Sequence, residues 1–107
     1  MINYAHRGAS EQAPENTFSA FYLGLALGAD GIETDIQKTA DHRLVLFHDQ
    51  SLQRITGLDK PICELTYAGL LELDFGRHKG LRYQNEKIVA LDDFLRYFGG
   101  RPVHLAL

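Results

Sequence analysis

The segment from Gly31 to Lys38 constrains the fold of this 107-residue chain more than any other. A β-strand here would present Glu33, Asp35 and Gln37 on one face and Ile32, Thr34 and Ile36 on the other. A solvated acidic face would explain this alternation, but such an apolar strand is expected to be covered on both faces. Buried like charges are costly unless a cation neutralises them. The pattern therefore predicts a metal ion at Glu33 and Asp35, and hard carboxylate oxygens suit Mg²⁺, Ca²⁺ or Mn²⁺.

Strands and helices are predicted to alternate along the rest of the chain. The predicted elements are a strand over Ile2–His6, a helix over Thr17–Leu27 capped by Asn16 and ended by Gly28, a strand over Leu44–His48, a short helix capped by Thr66 and running through Leu73, a helix over Leu91–Phe98 ended by Gly99 and Gly100, and a strand over Val103–Leu107. Between residues 50 and 87 the periodicity weakens, which indicates a loop-rich insertion.

The connection between the second and third predicted strands is short. Asp35 and His48 are thirteen positions apart, with a polar turn around Ala40 and Asp41. A parallel connection normally needs a crossover helix, for which there is no room, so the sequence predicts an antiparallel hairpin. Such a hairpin would bring His48 back beside Asp35.

Three further side chains have the chemistry for reactions at phosphorus. His6 and His48 lie at predicted strand ends, and because imidazole titrates near neutral pH the pair could act as general acid and base. Arg7 offers a planar guanidinium suited to phosphate. Structural histidines and a surface ion pair are the alternatives. Asp49 could orient His48 or form a turn, and the remaining histidines, His42, His78 and His104, are expected at the surface or in loops.

Charge and composition exclude several classes of function. Eleven basic and fourteen acidic residues give a net charge of −3, which is too balanced for an electrostatic binder of nucleic acid or anionic membranes. No apolar run approaches the roughly 20 residues of a transmembrane helix, and the residues from Ile2 to His6 are expected to form a strand and not a signal peptide. Cys63 stands alone, which excludes an internal disulfide and favours a reducing, cytoplasmic location over a reactive thiol.

Six short motifs occur in an order that is specific as a set. They are His6-Arg7-Gly8, Pro14-Glu15-Asn16-Thr17, Glu33-Thr34-Asp35, His48-Asp49, Arg54-Ile55-Thr56-Gly57 and Ile88-Val89-Ala90-Leu91-Asp92-Asp93. Together they resemble the N-terminal part of the glycerophosphodiester phosphodiesterase family. The resemblance implies an α/β fold, a TIM barrel, which needs roughly 250 residues. Residues 1–107 would then form a partial domain with the first three or four strands and the insertion at residues 50–87.

The resemblance also implies roles for the candidate residues. The residues matching Glu33 and Asp35 bind the metal, those matching His6 and His48 act as acid and base, and the one matching Arg7 contacts phosphate. The family usually supplies a third acidic ligand from a later strand, here near Val103–Leu107, where no acid stands. Either Ala106 replaces that ligand or the acid follows Leu107.

The implied reaction is metal-dependent hydrolysis of a small glycerophosphodiester to glycerol phosphate and an alcohol such as choline, as part of lipid and glycerol metabolism. A lysophospholipase D-like activity would use the same chemistry on an acylated substrate. The alternative is a catalytically incomplete fragment or a binding module. If the chain is complete at 107 residues, unpaired strand edges predict a homo-oligomer.

Overall fold

A computed structural model describes residues 3–106 of the chain. Ile2 and Leu107, the outer ends of two predicted strands, lie outside the described residues. The strands are β1 (Tyr4–His6), β2 (Gly31–Lys38), β3 (Leu44–Leu46) and β4 (Val103–Ala106), and the α-helices are α1 (Phe18–Ala26), α2 (Gln53–Thr56), α3 (Tyr67–Leu70) and α4 (Leu91–Phe98). Short 3₁₀ turns occupy Ile62–Glu64, Arg77–Lys79 and Leu81–Tyr83.

Strand β2 lies at the centre of the sheet and pairs with the three other strands. β1 and β4 run parallel to it, with His6 opposite Glu33 in one ladder and Glu33 opposite His104 in the other. Because parallel strands end at the same edge of a sheet, the carboxyl ends of β1, β2 and β4 come together. The side chains that follow these ends are therefore brought near one another.

The antiparallel hairpin between β2 and β3 is confirmed. Ile36 pairs with Leu46, and the backbone N–H of Thr39 donates to the carbonyl of Arg43 at 2.8 Å where the hairpin closes. β3 ends at Leu46, two residues earlier than predicted. The N–H of Phe47 still donates to the carbonyl of Asp35 at 3.0 Å, so His48 emerges next to the end of β2.

Helix α1 forms where predicted, but its N-cap is Thr17 and the assignment of Asn16 was wrong. The Thr17 hydroxyl accepts a hydrogen bond from the N–H of Ala20, and its backbone is extended, as an N-cap requires. Asn16 has a φ of 58°, in the left-handed region that asparagine tolerates, and its Oδ1 accepts a hydrogen bond from the Thr34 hydroxyl at 2.6 Å. Gly28, with a φ of 101°, ends the helix as predicted.

Two apolar cores lie on opposite faces of β3, because its neighbouring residues Val45 and Leu46 belong to different clusters. One core is aromatic and joins α1, β2 and α4 through Phe21, Ile32, Ile36, Leu46, Val89, Phe94 and Phe98. The other contains Val45, Phe47, Leu52, Ile55, Ile62, Leu70, Phe75 and Ile88. Residues 50–87 therefore pack against β3 in this second core through short helical turns. Of these turns only the helix capped by Thr66 was predicted, and it ends at Leu70 and not at Leu73.

Candidate active site

The alternation predicted for β2 is confirmed. Thr34 is 0% exposed, whereas the flanking side chains of Glu33 and Asp35 are 36% and 21% exposed. The two carboxylates thus share the face that is not covered by the helices. Their carboxyl groups stand at the edge where β1 and β4 also end.

Arg7 reaches this face because β1 ends in a tight turn. Arg7 itself has a φ of 57° and Gly8 a φ of 79°, and a Cβ on Gly8 would lie 2.5 Å from the carbonyl carbon of Ala20. Only glycine fits that approach. The turn leaves Nε of Arg7 3.4 Å from Oδ2 of Asp35.

Both of these facing atoms are buried without a hydrogen-bond partner. Nε of Arg7 and Oδ2 of Asp35 each lack one among the described residues, although the two atoms lie 3.4 Å apart as an ion pair. Buried polar groups in folded proteins are nearly always satisfied, and exceptions often mark a site for an ion or ligand. Nε of Arg7 is therefore available to bind an anion, and Oδ2 of Asp35 is available to bind a cation.

Glu33 lies between two histidines. Nε2 of His6 is 3.3 Å from Oε1, and Nδ1 of His104 is 3.1 Å from Oε2. His104 is exposed, as expected, but it belongs to β4 and contacts a candidate ligand, which the sequence analysis did not foresee. The signal that could have identified it was the strand register, because residues opposite each other in a parallel ladder point to the same face.

His48 belongs to a second group of side chains, centred on Arg54. Nδ1 of His48 is 3.0 Å from Oδ1 of Asp49, so Asp49 can orient this imidazole, which is one of the two roles considered for it. Nε of Arg54 donates to Oδ2 of Asp49 at 2.8 Å, and Nη2 of Arg54 donates to Oε2 of Glu15 at 2.9 Å. No role was predicted for Arg54 from the sequence.

Glu15 joins the two groups. Its Oε2 also accepts a hydrogen bond from Nη1 of Arg7 at 3.2 Å. Arg7, Asp35 and Glu33 on one side and His48, Asp49 and Arg54 on the other are therefore parts of one network. Among the described residues His48 makes its side-chain contact with Asp49, and the link between β3 and Asp35 runs through the backbone of Phe47.

The two arginines lower the pKa values of two carboxylates of this network, those of Glu15 and Asp49. Hydrogen bonds from Arg54 hold the pKa of Asp49 at about 2, and the same contacts raise the pKa of Arg54. For Glu15, burial alone would raise the pKa, but hydrogen bonding and the charges of Arg54 and Arg7 outweigh burial and lower it. At neutral pH Asp49 is thus a pure acceptor, which requires Nδ1 of His48 to carry a proton.

A carboxyl titration should show this pairing directly. The folded pKa of Asp49, about 2, lies below its ordinary value of 3.8. The pairing therefore stabilises the fold above about pH 4, and the contribution is lost as the pH falls towards 2. In ¹³C NMR of the full-length protein, Arg54→Gln should move this pKa upwards towards 3.8, whereas Arg96→Gln, at an exposed position of α4, should not. An ordinary pKa for Asp49 in the parent protein would contradict the pairing.

Two sets of residues have donor atoms that suit a divalent ion. Glu15, His48 and Asp49 offer ligand atoms within 4.8 Å of one another. Arg54 already occupies both of these carboxylates, so an ion there would have to displace the guanidinium. Glu33 and Asp35 fit better, because Oδ2 of Asp35 is buried and accepts no hydrogen bond from residues 3–106.

The chain is similar to one family throughout most of its length. The model of the glycerophosphoryl diester phosphodiesterase family matches residues 6–104. A glycerophosphodiester phosphodiesterase of Caldanaerobacter subterraneus is 38% identical over 91% of this chain and 40% of the relative. Glycerophosphodiester phosphodiesterase 1 of Homo sapiens is 39% identical over 81% of this chain and 27% of the relative. The chain therefore spans well under half the length of these relatives.

Solved structures give the same picture. A glycerophosphodiester phosphodiesterase from Agrobacterium tumefaciens superposes with a TM-score of 0.92 at 36% identity, over 98% of this chain and 46% of that one. A phosphodiesterase from Oleispira antarctica, solved with its product sn-glycerol-3-phosphate, also superposes with a TM-score of 0.92 at 36% identity, over 98% of this chain and 43% of that one. The chain is an N-terminal portion of a TIM barrel, as predicted. Within residues 3–106, no helix has the length and apolar character needed to cross a bilayer.

Proposed function

This chain belongs to the glycerophosphoryl diester phosphodiesterase family, and we propose that the full-length protein hydrolyses a glycerophosphodiester to glycerol phosphate and an alcohol with the help of a divalent ion. The observation that carries the proposal is the buried pair formed by Nε of Arg7 and Oδ2 of Asp35, neither of which has a hydrogen-bond partner among the described residues. A substrate phosphate and a metal ion are the groups that these two atoms would bind.

Glu33 and Asp35 would hold the ion. A bound Mg²⁺, Ca²⁺ or Mn²⁺ would polarise the phosphoryl group and neutralise charge that develops on its oxygens. The positions of β4 opposite these two acids are His104 and Ala106, so the described part of β4 offers no third carboxylate. Such ions keep several water ligands, which is compatible with two protein carboxylates.

Arg7 would bind the phosphate. Its side chain is 18% exposed and is held by Glu15 at Nη1, so little conformational freedom remains to be lost on binding. A guanidinium fixed in this way stabilises negative charge on phosphoryl oxygens without having to reorganise during the reaction. Arg7 therefore serves both the bound substrate and the transition state.

His48 and His6 would move the protons. Asp49 holds His48 with its proton on Nδ1, which leaves the lone pair of Nε2 free to accept a proton from water or from the neighbouring glycerol hydroxyl. His6, with Nε2 3.3 Å from Oε1 of Glu33, is the proposed acid, because it is the imidazole that lies beside the proposed metal ligands. His6 would then protonate the departing alcohol as its bond to phosphorus breaks. If the glycerol hydroxyl attacks, the product of this step is a cyclic phosphate, which water must open in a second step to give glycerol phosphate.

The substrate is proposed to be a small diester in the cytoplasm. The net charge of −3 does not favour binding to nucleic acid. Glycerophosphocholine, glycerophosphoethanolamine and an acylated lysophospholipid all present the same reacting group, so a side-by-side assay of the three distinguishes a headgroup diesterase from a lysophospholipase D.

The activity assay uses the full-length protein and glycerophosphocholine. We expect release of glycerol phosphate, its loss in EDTA, and its return with Mg²⁺, Ca²⁺ or Mn²⁺. Activity that persists unchanged in EDTA would contradict the metal-dependent proposal, and failure to cleave any glycerophosphodiester with each ion supplied would contradict the proposed reaction.

Expressed alone, the 107 residues should self-associate. β1 and β4 each pair with β2 and with no other strand among residues 3–106, and a cleft of about 300 Å³ opens beside β1. Exposed strand edges promote pairing between chains. Sedimentation at micromolar concentration should therefore show a dimer or larger species without hydrolase activity. A folded monomer would contradict this expectation.

A further inference from the structure

We propose that Arg54 is a positioning residue of this active site, which holds His48 through Asp49 and Arg7 through Glu15. The inference rests on the function proposed above, because it assigns Arg54 a part in the same reaction. Arg54 lies in α2, after β3, whereas Glu15 lies in the segment after β1, 39 residues earlier. The side chain of Arg54 therefore ties together two segments that carry reactive groups.

On the side of His48, Arg54 holds the acid that faces the imidazole. Its Nε donates to Oδ2 of Asp49 at 2.8 Å and its Nη2 to Oδ1 at 3.1 Å. Oδ1 is also the oxygen that faces Nδ1 of His48 at 3.0 Å. With both oxygens held by one planar group, the Asp49 carboxylate cannot rotate away from His48. The Nδ1–H tautomer of His48 follows from that arrangement.

On the side of Arg7, Arg54 holds the acid that faces the phosphate-binding guanidinium. Nη1 of Arg54 is 2.9 Å from Oε1 of Glu15, and Nη2 is 2.9 Å from Oε2. Oε2 is shared with Nη1 of Arg7 at 3.2 Å. Glu15 is only 11% exposed in its side chain, so this carboxylate needs a fixed cation, and Arg54 supplies it from a half-exposed position.

The same geometry explains why a guanidinium suits this place better than an ion. A spherical ion among Glu15, His48 and Asp49 would bind the imidazole through a nitrogen lone pair. The guanidinium instead contacts the two acids and leaves His48 free to exchange protons. Its fork spans two carboxylates with fixed directions, which the single ammonium of a lysine cannot do.

The test uses the full-length protein with Arg54→Gln and Arg54→Lys, and with Arg96→Gln as the control. We expect kcat to fall by about 10²-fold in Arg54→Gln, since a small misplacement of reacting groups has an effect of this size. KM should rise as well, because Arg7 also holds the bound substrate, whereas the affinity for Mn²⁺ should change far less. Arg54→Lys, which keeps the charge but loses the fork, should recover only part of the loss.

A spectroscopic signal separates positioning from a merely structural role. In ¹⁵N NMR, His48 of the parent protein should be the Nδ1–H tautomer, and both Arg54 variants should show a mixture with the Nε2–H form. Asp49→Asn breaks only the half of the network that holds His48, so it should lower kcat by itself, and its combination with Arg54→Gln should lose less than the two single losses added together.

Unchanged kcat and an unchanged His48 tautomer in Arg54→Gln would overturn the inference, as would fully additive losses in the double variant. An inactive parent protein would instead overturn the proposed function, and the tautomer measurement would still decide the role of Arg54. The thermal midpoint of Arg54→Lys checks that its fold is intact.

Discussion

Replacing Asp35 by asparagine in the full-length protein should abolish tight binding of a divalent ion and lower kcat by about 10³-fold. A Lewis-acid metal stabilises the transition state by several kcal/mol, and each loss of about 1.4 kcal/mol lowers the rate tenfold. Oδ2 of Asp35 makes no hydrogen bond among the described residues, so the substitution removes the negative charge without breaking a hydrogen bond at this atom. Calorimetric titration with Mn²⁺ and steady-state kinetics measure the two effects.

Glu72→Gln is the matched control, because Glu72 is an exposed acid in the turn after α3. It should bind Mn²⁺ and turn over substrate like the parent protein. If Asp35→Asn retained parental affinity for Mn²⁺ and Asp49→Asn did not, the metal would belong to Glu15, His48 and Asp49, and the assignment to β2 would be wrong.

The second large effect is expected at His48. His48→Asn should lower kcat by about 10²- to 10⁴-fold, the usual contribution of a positioned acid or base, while Mn²⁺ affinity stays near the parental value. The reason is that His48 exchanges a proton but contacts neither Glu33 nor Asp35 among the described residues. Steady-state kinetics and metal titration on the same preparation separate these two quantities.

His42→Asn controls for the removal of a histidine. His42 is exposed and has a φ of 64°, a conformation that asparagine adopts readily. The kcat of His42→Asn should match that of the parent protein. A His48→Asn variant with parental kcat would remove His48 from the proton transfers and leave His6 as the remaining candidate.

The parts of the fold that sequence predicted are those set by local periodicity. The eight residues of β2 alternate with a period of two, and their bounds were predicted without error because both faces are constrained. Helix α4 was predicted in the same way from its apolar face and from Gly99 at its end. The N-cap of α1 was not predicted correctly. Asn16 and Thr17 are both good capping residues, and which of them caps the helix depends on the backbone turn that precedes them.

The short helical turns between residues 50 and 87 show a different limit. Helices of three or four residues, such as α2, complete only about one turn, so no repeat of 3.6 residues can emerge in the sequence. Their formation depends on burying Ile55, Ile62 and Leu70 in a shared core, which is a tertiary effect.

The candidate site was partly foreseen for the same physical reason. Glu33 and Asp35 stand two residues apart, so strand geometry alone puts them together. Arg54 and Glu15 are 39 residues apart, and their contact requires that α2 folds back over the segment after β1. His104 meets Glu33 only through the β2–β4 register. Side chains that meet through tertiary folding leave no periodic signal in the sequence.

The most direct test of the account is a crystal structure of the full-length protein grown with Mn²⁺, in which anomalous scattering locates the ion. We expect a peak bound by Glu33 and Asp35, with Arg54 still bridging Glu15 and Asp49. A peak bound by Glu15, His48 and Asp49, with the Arg54 side chain displaced, would contradict both the metal site and the role given to Arg54.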